Sequence, residues 1–450
     1  MKAVSSWSFA PYTPLHRPER ARGPYVTRLA PFAGGFRADF INNAAPGSLH
    51  TVRCGKRDGE LTMTREAADH AVFEGLEDGA DYRFTVTDGE GRSVSRLVRP
   101  GEAPGAVINY LHPEDPEYAF SGSYLCSPSL VRLPSGTLIS SMDVFRGEAA
   151  QNLTLLFSSP DRGATWRYLT ELFPCFWGKL FVAKGELYML GVSRECGDLL
   201  IGRSLDEGRT WSAPTPLVRG SSLTREPGVQ RGPMPVLEHE GRLWTDFQYG
   251  TWTENYFATG ILSADLSGDL LAPETWTVSE LFDPDGSPVE RPGALEGSVV
   301  AGPDGRLYDL LRYQRGKALL LSIDKDRPDR APEYEAIIDC PTVDSKFDVI
   351  CDPVSRQWLA LVSYPASIPW TRRNLLSLIR SEDLRTWQFV RHVIDRSWMD
   401  PDTTAFQYVS FLIDGDDLLF QSRTALNGAH NFHDANLATF HVLKNFRRDL

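Results

Sequence analysis

A short segment near the C-terminus concentrates side chains that exchange protons. Residues 430–436 have the sequence His-Asn-Phe-His-Asp-Ala-Asn. Imidazoles titrate near neutral pH and suit general acid/base catalysis, while amides and carboxylates suit hydrogen bonding to sugar hydroxyls. The segment equally fits a hydrogen-bonded loop without chemistry, and a single HxxHD pattern gives little support for a metal site. We predict no metal or cofactor and keep His430 and His433 as candidate proton-transfer groups.

Other aromatic and charged residues also suit a sugar-binding pocket. Trp177 and Trp252 can stack on sugar rings at a pocket rim, although packing inside a sheet explains tryptophan about as often. Arg231 is either a polar pocket group or part of an exposed ion-pair loop. Lys346 and Asp348 alternate along a predicted strand, so we expect them to form a salt bridge.

A repeated turn indicates the elements that position these residues. The motif Ser-x-Asp-x-Gly-x-Thr-Trp occurs at 159–166 and 204–211, and a version without glycine occurs at 381–387. Its aspartate can accept hydrogen bonds from its own turn, its glycine tolerates positive φ, and its tryptophan folds back over the hairpin. Repetition of a whole hairpin predicts an array of small sheets.

From residue 106 onward the chain contains six such units, which predict a six-bladed β-propeller. The units begin at the apolar strands Ser129–Leu133, Trp177–Val182, Met234–Leu237, Glu296–Val300, Lys346–Ile350 and Phe406–Phe411. Radial repetition leaves few open sheet edges, and Val107–Tyr110 is predicted to add the missing strand of the last unit. The repeated turns then share one face and are expected to be structural. Function is expected on the opposite face, around the central channel.

Residues 1–105 are predicted to form a separate small β-sandwich, so the fold class is all-β. Alternating apolar and polar residues indicate strands at 25–29, 36–40, 50–54, 71–73 and 82–87. Within this unit, Leu76–Tyr82 resembles the corner before a late strand of fibronectin type III domains, where a tyrosine hydroxyl bonds back to the backbone. That resemblance implies a spacer or packing partner.

The repeated turns on residues 106–450 resemble those of the sialidase (neuraminidase) superfamily of Asp-box, or BNR-repeat, propellers. The resemblance implies a site in which three arginines hold a substrate carboxylate and a glutamate activates a tyrosine nucleophile. A loop aspartate would act as general acid/base. Guanidinium groups suit carboxylates through paired hydrogen bonds, and a tyrosine suits a substrate whose own carboxylate repels an anionic nucleophile.

Matched residue by residue, the resemblance implies a set of pocket residues. They are Glu296 as the activating glutamate, Arg312 and either Arg372 or Arg373 as the second and third arginines, and Tyr408 as the nucleophile. Apart from the resemblance, Arg423 ends a predicted second strand that faces the site and is the best candidate for an additional arginine, and Gln407, beside Tyr408, is a candidate for substrate binding.

The match departs from the superfamily at the first arginine. Its usual context aligns with Cys126-Ser127-Pro128, so one charge-assisted contact to a carboxylate is missing. Either another basic group, such as Arg146 or Arg231, compensates, or the substrate differs from sialic acid. The acid/base residue stays open between Asp143 and Glu148, which are both near the expected loop.

Composition excludes several other classes of function. The formal net charge of −12 argues against a nucleic-acid or anionic-membrane partner. The six cysteines are scattered without a CxxC pair, and the first residues have no apolar core of signal-peptide length. We therefore expect free thiols and a cytoplasmic protein, with secretion left open if a signal has been trimmed.

Three functions fit these observations. The first is a glycoside hydrolase that acts at the end of a polar or acidic glycan. The second is a polysaccharide lyase, in which an arginine neutralises a uronate carboxylate while Tyr408 or a histidine abstracts the neighbouring proton. The third is a glycan-binding propeller without catalysis, which the missing arginine favours and the crowding of ionisable groups opposes.

Overall fold

The computed structural model describes residues 23–41, 47–221, 226–314, 316–365 and 372–450. Regular structure in these ranges is almost entirely β-strand, and the exceptions are two short 3₁₀ turns, Pro273–Thr275 and Phe446–Asp449. The prediction of a nearly all-β chain is confirmed. Across the same ranges, no helix has the length and apolar character needed to cross a membrane.

Before residue 106, the part of the chain that the structure describes forms two antiparallel sheets. One contains β1 (Tyr25–Phe32), β2 (Gly35–Ile41) and β5 (His70–Glu74), and the other contains β3 (His50–Lys56), β4 (Met63–Ala67), β6 (Tyr82–Thr87) and β7 (Ser93–Val98). Their apolar faces share one core, in which the ring of Phe36 lies 5.3 Å from that of Phe73 and 5.2 Å from that of Phe84. The predicted corner is present, because the backbone N–H of Glu77 donates to the Tyr82 hydroxyl at 3.0 Å.

After residue 106 the described residues form six further antiparallel sheets, which we number in chain order. Sheet 1 has β9 (Tyr124–Arg132), β10 (Leu138–Phe145), β11 (Leu153–Ser159) and β12 (Arg167–Leu172). Sheet 2 has β13 (Phe176–Ala183), β14 (Glu186–Val192), β15 (Leu199–Ser204) and β16 (Thr215–Val218). Sheet 3 has β17 (Gly228–Gln230), β18 (Leu237–His239), β19 (Arg242–Thr251), β20 (Tyr256–Asp265) and β21 (Trp276–Val278).

The remaining three sheets repeat this pattern. Sheet 4 has β22 (Leu295–Ala301), β23 (Leu307–Arg312), β24 (Lys317–Ile323) and β25 (Glu333–Asp339). Sheet 5 has β26 (Val349–Cys351), β27 (Trp358–Ser363), β28 (Leu375–Ser381) and β29 (Trp387–Asp395). Sheet 6 has β30 (Ala405–Asp414), β31 (Asp417–Ala425), β32 (Leu437–Leu443) and β8 (Ala106–Tyr110).

Sheet 6 joins the two ends of this region. Strand β8 pairs with β32, with Tyr110 opposite Leu437, so the prediction that residues 107–110 supply the missing strand is confirmed. Tyr110 and Leu437 also belong to the apolar core of the first two sheets. The N-terminal sheets therefore pack directly against the sheet in which the region closes.

The repeated turns join the third and fourth strands of sheets 1, 2 and 5. In the turn at 204–211, Asp206 accepts hydrogen bonds from the backbone N–H of Thr210 at 2.8 Å and from its hydroxyl at 2.6 Å. The N–H of Gly208, at φ 89°, donates to the Ser204 hydroxyl at 2.7 Å. Because the polar groups of the turn satisfy one another, the motif stabilises the hairpin.

The third unit begins earlier than predicted. Its first strand is interrupted, since both β17 and β18 pair with β19 and the residues between them do not. The predicted start at Met234 falls inside this interruption. The side chain of Arg231 fills the gap and bonds to the backbone there.

Candidate active site

A cavity of about 360 Å³ lies where the first strands of sheets 1, 2, 4 and 6 begin. This volume falls within the range of about 300–1,000 Å³ that is typical of small-molecule sites, so the cavity has room for a sugar. Residues from five sheets or their connections line it, including Trp177, Gln230, Trp252, Glu296, Tyr408 and His433. We call this space the central cavity.

Four equivalent β-bulges shape the central cavity. The pairing of the first and second strands shifts register at Ser127, Trp177, Glu296 and Tyr408. Each of these residues has a left-handed backbone, with φ between 50° and 58°. A non-glycine residue in this conformation costs about 1–3 kcal/mol, and such strain is concentrated at functional sites. Three of the four bulged residues, Trp177, Glu296 and Tyr408, line the cavity.

One guanidinium connects the glutamate and the tyrosine. Nη1 of Arg312 donates to Oε2 of Glu296 at 2.7 Å and to the hydroxyl of Tyr408 at 3.0 Å. Arg312 ends β23, and Glu296 is the second residue of the neighbouring strand β22, so the sheet pairing itself brings them together. Both side chains are largely buried, which strengthens this ion pair.

The surroundings of Tyr408 set its protonation state. Burial raises the pKa of Tyr408, the charge of Glu296 raises it further, and Arg312, Arg373 and Arg423 oppose both effects. The guanidinium carbons of Arg423 and Arg373 lie 5.1 and 5.6 Å from the centre of its ring. The phenol is therefore protonated at neutral pH, and it needs a base before it can act as a nucleophile.

The other two arginines are fixed by backbone and amide groups. Arg423 lines the central cavity and donates to the carbonyl of His433. Arg373 donates to the side chain of Gln407, and its burial lowers the pKa of its guanidinium to about 10. Gln407 in turn donates to the carbonyl of Phe432 at 2.5 Å. Gln407 is fully buried and positions Arg373 rather than lining the cavity.

The loop at residues 430–436 brings one carboxylate between two imidazoles. Oδ2 of Asp434 lies 2.9 Å from Nδ1 of His430, and Oδ1 lies 2.9 Å from Nδ1 of His433. Burial raises the pKa of Asp434, but hydrogen bonds from both histidines and Asn431 outweigh it and lower that pKa to about 2. The charge of Arg423, followed by burial, lowers the pKa of His433 to about 4. A neutral His433 that donates from Nδ1 to the ionised Asp434 keeps Nε2 as an acceptor. His430 instead stacks on Tyr124, with ring centroids 5.1 Å apart.

Asp143 and Arg231, like His430, Arg373 and Gln407, are not among the residues that line the central cavity. Asp143 is fully buried in β10, accepts from the Thr154 hydroxyl and the Trp177 N–H at 2.5 and 2.6 Å, and has its pKa raised to about 7 by burial. It therefore supports the bulge at Trp177. Arg231 is also fully buried, and its guanidinium donates to Thr245 at 2.8 Å and to three carbonyls. Neither side chain is among those that line the cavity, so Arg231 does not replace the missing first arginine.

Two buried lysines, Lys346 and Lys179, support the bulge at Tyr408. The predicted salt bridge between Lys346 and Asp348 is confirmed, with 2.5 Å between Nζ and Oδ1. Lys346 also donates to the carbonyl of Val409 at 3.2 Å, and Lys179 donates to the hydroxyl of Ser410 at 3.1 Å. These buried contacts hold the two residues that follow Tyr408.

Sequence reasoning missed Glu195 and Gln151, which line the central cavity. Nε2 of Gln151 donates to Oε2 of Glu195 at 2.6 Å, and burial raises the pKa of Glu195. Neither residue belongs to a repeated motif. The one available signal was position, because both lie in connections between second and third strands. In the described part of the chain, no group of three or more His, Cys, Asp or Glu side chains is placed to hold a metal ion.

Comparison with known proteins identifies the fold. Residues 184–420 match the family model of the BNR repeat-like domain. A search of curated proteins found no match. The Hadza microbial sialidase Hz136 is 14% identical, with 97% of this chain and 94% of that chain covered and a TM-score of 0.52.

Two other solved structures give similar values. The leech intramolecular trans-sialidase is 11% identical, with 94% of this chain and 91% of that chain covered and a TM-score of 0.52. The α-L-arabinofuranosidase of Fusarium graminearum is 15% identical, with 75% and 98% covered and a TM-score of 0.51. The likeness establishes a shared β-propeller fold, and the predicted resemblance to the sialidase superfamily is confirmed.

Proposed function

This chain belongs to the BNR repeat-like domain family, and from that premise we propose that it is a carbohydrate-active enzyme. We infer a sialidase-like glycoside hydrolase that removes a terminal sugar, polar or acidic, from a glycan. One observation carries the proposal: Arg312 contacts both Glu296 and Tyr408 beside a cavity of sugar size. The sialidase and arabinofuranosidase that share the fold support the glycosidase class.

The proposed architecture is a six-bladed propeller with a preceding spacer. Sheets 1 to 6 are the blades, and residues 1–105, of which 1–22 and 42–46 lie outside the described residues, form a fibronectin type III-like β-sandwich. The strand order of each sheet, the closing pair β8 and β32, and the Tyr82 hydroxyl contact support this division. The spacer has no residue among those that line the central cavity.

In the proposed reaction, Tyr408 is the nucleophile and Glu296 is its base. The phenol proton passes to Glu296 while the phenol oxygen bonds to the anomeric carbon and the glycosidic C–O bond breaks. Arg312 stabilises the negative charge that develops on the phenol oxygen, since its guanidinium already contacts that oxygen. This assignment explains why a buried tyrosine with a raised pKa is placed next to a carboxylate.

The charge around Tyr408 favours an acidic sugar. Arg312, Arg373 and Arg423 all act on the tyrosine electrostatically. The Nε–H groups of Arg373 and Arg423 are buried without a hydrogen-bond partner among the described residues. Because Cys126 stands where the sialidase pattern has its first arginine, the guanidinium groups that line the cavity, those of Arg312 and Arg423, are placed differently from that pattern. We therefore propose a uronic acid or another polar sugar ahead of sialic acid.

A glycan panel tests the enzyme proposal. Released reducing sugar is measured for the wild type, Tyr408→Phe and Glu296→Gln. We expect kcat/KM to fall by at least about 10³-fold in Tyr408→Phe and by about 10²–10⁴-fold in Glu296→Gln. The controls Tyr334→Phe and Glu333→Gln make the same changes on the exposed strand β25 and should match the wild type. Binding of glycans without any turnover would establish a non-catalytic binding propeller instead.

A second candidate is a polysaccharide lyase that acts next to a uronic acid. It is favoured by His433, a neutral imidazole in the central cavity beside the positive charge of Arg423. Arg423 would neutralise the uronate while His433 removes the neighbouring proton. Absorbance at the unsaturated uronate band should rise during digestion by the wild type and stay flat for His433→Ala. Reducing sugar released without this absorbance excludes the lyase.

A further inference from the structure

The proposed hydrolysis needs a second carboxyl group, which gives a proton to the leaving oxygen. The described carboxyl side chains that line the central cavity are Glu195, Glu296 and Asp434. Glu296 is engaged by Arg312, and Asp434 is held ionised by its hydrogen-bond donors. Neither Asp143 nor Glu148 lines the cavity. Glu195 is therefore the remaining carboxyl group in the cavity.

The geometry points to Glu195 as the general acid/base of this site, a role that rests on the hydrolase function proposed above. Glu195 belongs to the connection between β14 and β15, so it enters the cavity from sheet 2. Tyr408 and Glu296 enter from sheets 6 and 4. A sugar bound between these groups has the nucleophile on one side and the proton donor on another, as displacement at the anomeric carbon requires.

The connection that carries Glu195 is rigidly held. The N–H of Ser193 donates to the carbonyl of Asp198 at 2.8 Å, and the N–H of Gly197 donates to the carbonyl of Arg194 at 2.8 Å. Cys196 is buried, and its carbonyl accepts from the N–H of Ser221 at 2.7 Å. Such a fixed backbone suits a catalytic group, because proton transfer depends on the placement of the donor.

The hydrogen-bond partner of Glu195 is a neutral amide, whereas that of Glu296 is a charged guanidinium group. Gln151 donates to Oε2 at 2.6 Å, while Oε1 accepts no hydrogen bond from any described residue and is left for a ligand. A neutral amide orients the carboxyl group without locking it in the charged form. Burial raises the pKa of Glu195, and the Gln151 hydrogen bond and the charge of Arg194 oppose that shift. Cys196, the other titratable neighbour, has its own thiol pKa raised by burial.

Over the two steps of the reaction, each side chain that gives up or takes a proton returns to its starting state. In the first, Glu195 gives its proton to the glycosidic oxygen, the C–O bond breaks, and the leaving sugar departs as an alcohol from the glycosyl–Tyr408 intermediate. In the second, Glu195 takes a proton from water while the water oxygen bonds to the anomeric carbon. The Tyr408 oxygen leaves and recovers its proton from Glu296, so both carboxyl groups return to their starting states.

Leaving-group dependence tests this role in the full-length protein. Once the panel has identified the sugar, its aryl glycosides with strongly and weakly acidic phenols are compared in the wild type and Glu195→Gln. We expect Glu195→Gln to lower kcat/KM by about 10²–10⁴-fold for the weakly acidic phenol and by less than about tenfold for dinitrophenol. The basic limb of the pH profile should also disappear. Glutamine keeps the size of the side chain, and an unchanged melting temperature shows that the fold is intact.

Two additional variants make the outcome decisive. Glu195→Ala with added azide should regain turnover and form a glycosyl azide, which a structural role would not produce. Glu333→Gln is the remote control. Equal loss on both aryl glycosides, or a leaving-group-dependent loss in Glu148→Gln instead, would overturn the role of Glu195 while leaving the hydrolase standing. Absence of turnover in the wild type overturns the hydrolase and, with it, this role.

Discussion

The two ends of the strands in residues 106–450 hold similar side chains in opposite physical states. At the turn end, Asp161, Asp206 and Asp383 accept hydrogen bonds from their own turns, and the pKa of each is lowered. At the pocket end, around the central cavity, burial raises the pKa values of Glu195 and Tyr408, while Asp434 is held ionised by hydrogen bonds within its own loop. The difference shows why the repeated motif is structural. A group whose bonds are satisfied by its own hairpin has no remaining capacity for a ligand.

The backbone does not share this contrast. Both ends hold non-glycine residues at positive φ, namely Arg162, Glu207 and Leu384 in the turns and Trp177, Glu296 and Tyr408 in the cavity bulges. What distinguishes the pocket end is buried charge, above all the largely buried ion pair of Glu296 and Arg312. Active sites commonly hold such groups at some cost to the stability of the fold.

The largest expected effect follows from Arg312→Met. The substitution leaves Glu296, with a side chain 6% exposed, without its ion-pair partner. We expect the free energy of unfolding to fall by about 3–5 kcal/mol, measured by urea denaturation, and kcat/KM to fall by at least about 10²-fold. Adding Glu296→Gln removes the orphaned charge, and should restore much of the stability but none of the activity. If Arg312→Met is as stable as the wild type, the buried charges of the pocket end carry no such cost.

A pair of asparagine substitutions compares the two ends by pH. Asp143 has its folded pKa raised to about 7, so ionisation of the unfolded state destabilises the wild type as pH rises from about 4 to 7. The stability of Asp143→Asn relative to the wild type should therefore increase over that range, by up to about 1.4 kcal/mol per pH unit. Above pH 7 the difference should level off.

Asp206→Asn is the matched control and has the opposite sign. The pKa of Asp206 is lowered in the folded state, so its contribution is present above the unfolded value near 3.9 and is lost as pH falls below it. The destabilisation caused by Asp206→Asn should therefore be greatest near neutral pH and shrink in acid. Urea midpoints at several pH values measure both variants. Parallel pH profiles would remove the distinction between the two ends.

Much of the fold was predictable because it depends on local signals that repeat. The turn at 204–211 marks a hairpin wherever it occurs, and the apolar segment 107–110 had no partner except the incomplete last unit. Strands β4 and β7 did not stand out, because the middle of β4, from Thr64 to Glu66, is polar and exposed and β7 has the charged Arg96 at a buried position. Edge strands with one solvated face carry a weak pattern.

The site was predictable only where a resemblance supplied it. Glu296, Arg312 and Tyr408 converge as the sialidase pattern implies. The alternation of apolar and polar residues along a strand does not identify these three residues, because a bulge reverses the face of the sheet to which the following side chains point. For the same reason Asp143, which lies in β10 opposite Cys126 and next to the bulge at Ser127, is buried and supports the Trp177 bulge. Glu195 lies in an irregular connection, where neither the alternation of a strand nor the repeated turn motif gives a signal.

The smallest expected effects are those of replacing two tryptophans, Trp252 at the pocket end and Trp211 at the turn end. Trp252 is 48% exposed, lines the central cavity and rests edge-on against Phe257 at 4.8 Å, whereas Trp211 is buried and donates to the carbonyl of Gly208 at 2.9 Å. Loss of a sugar-stacking ring in Trp252→Ala should raise KM about twofold to tenfold and leave kcat unchanged. Trp211→Phe removes one hydrogen bond, so it should lower the free energy of unfolding by about 0.5–1.5 kcal/mol and leave KM unchanged. If Trp252→Ala instead destabilises the fold without changing KM, the Trp252 ring contributes to packing, and the exposure of a side chain at the rim of the cavity does not indicate where the sugar binds.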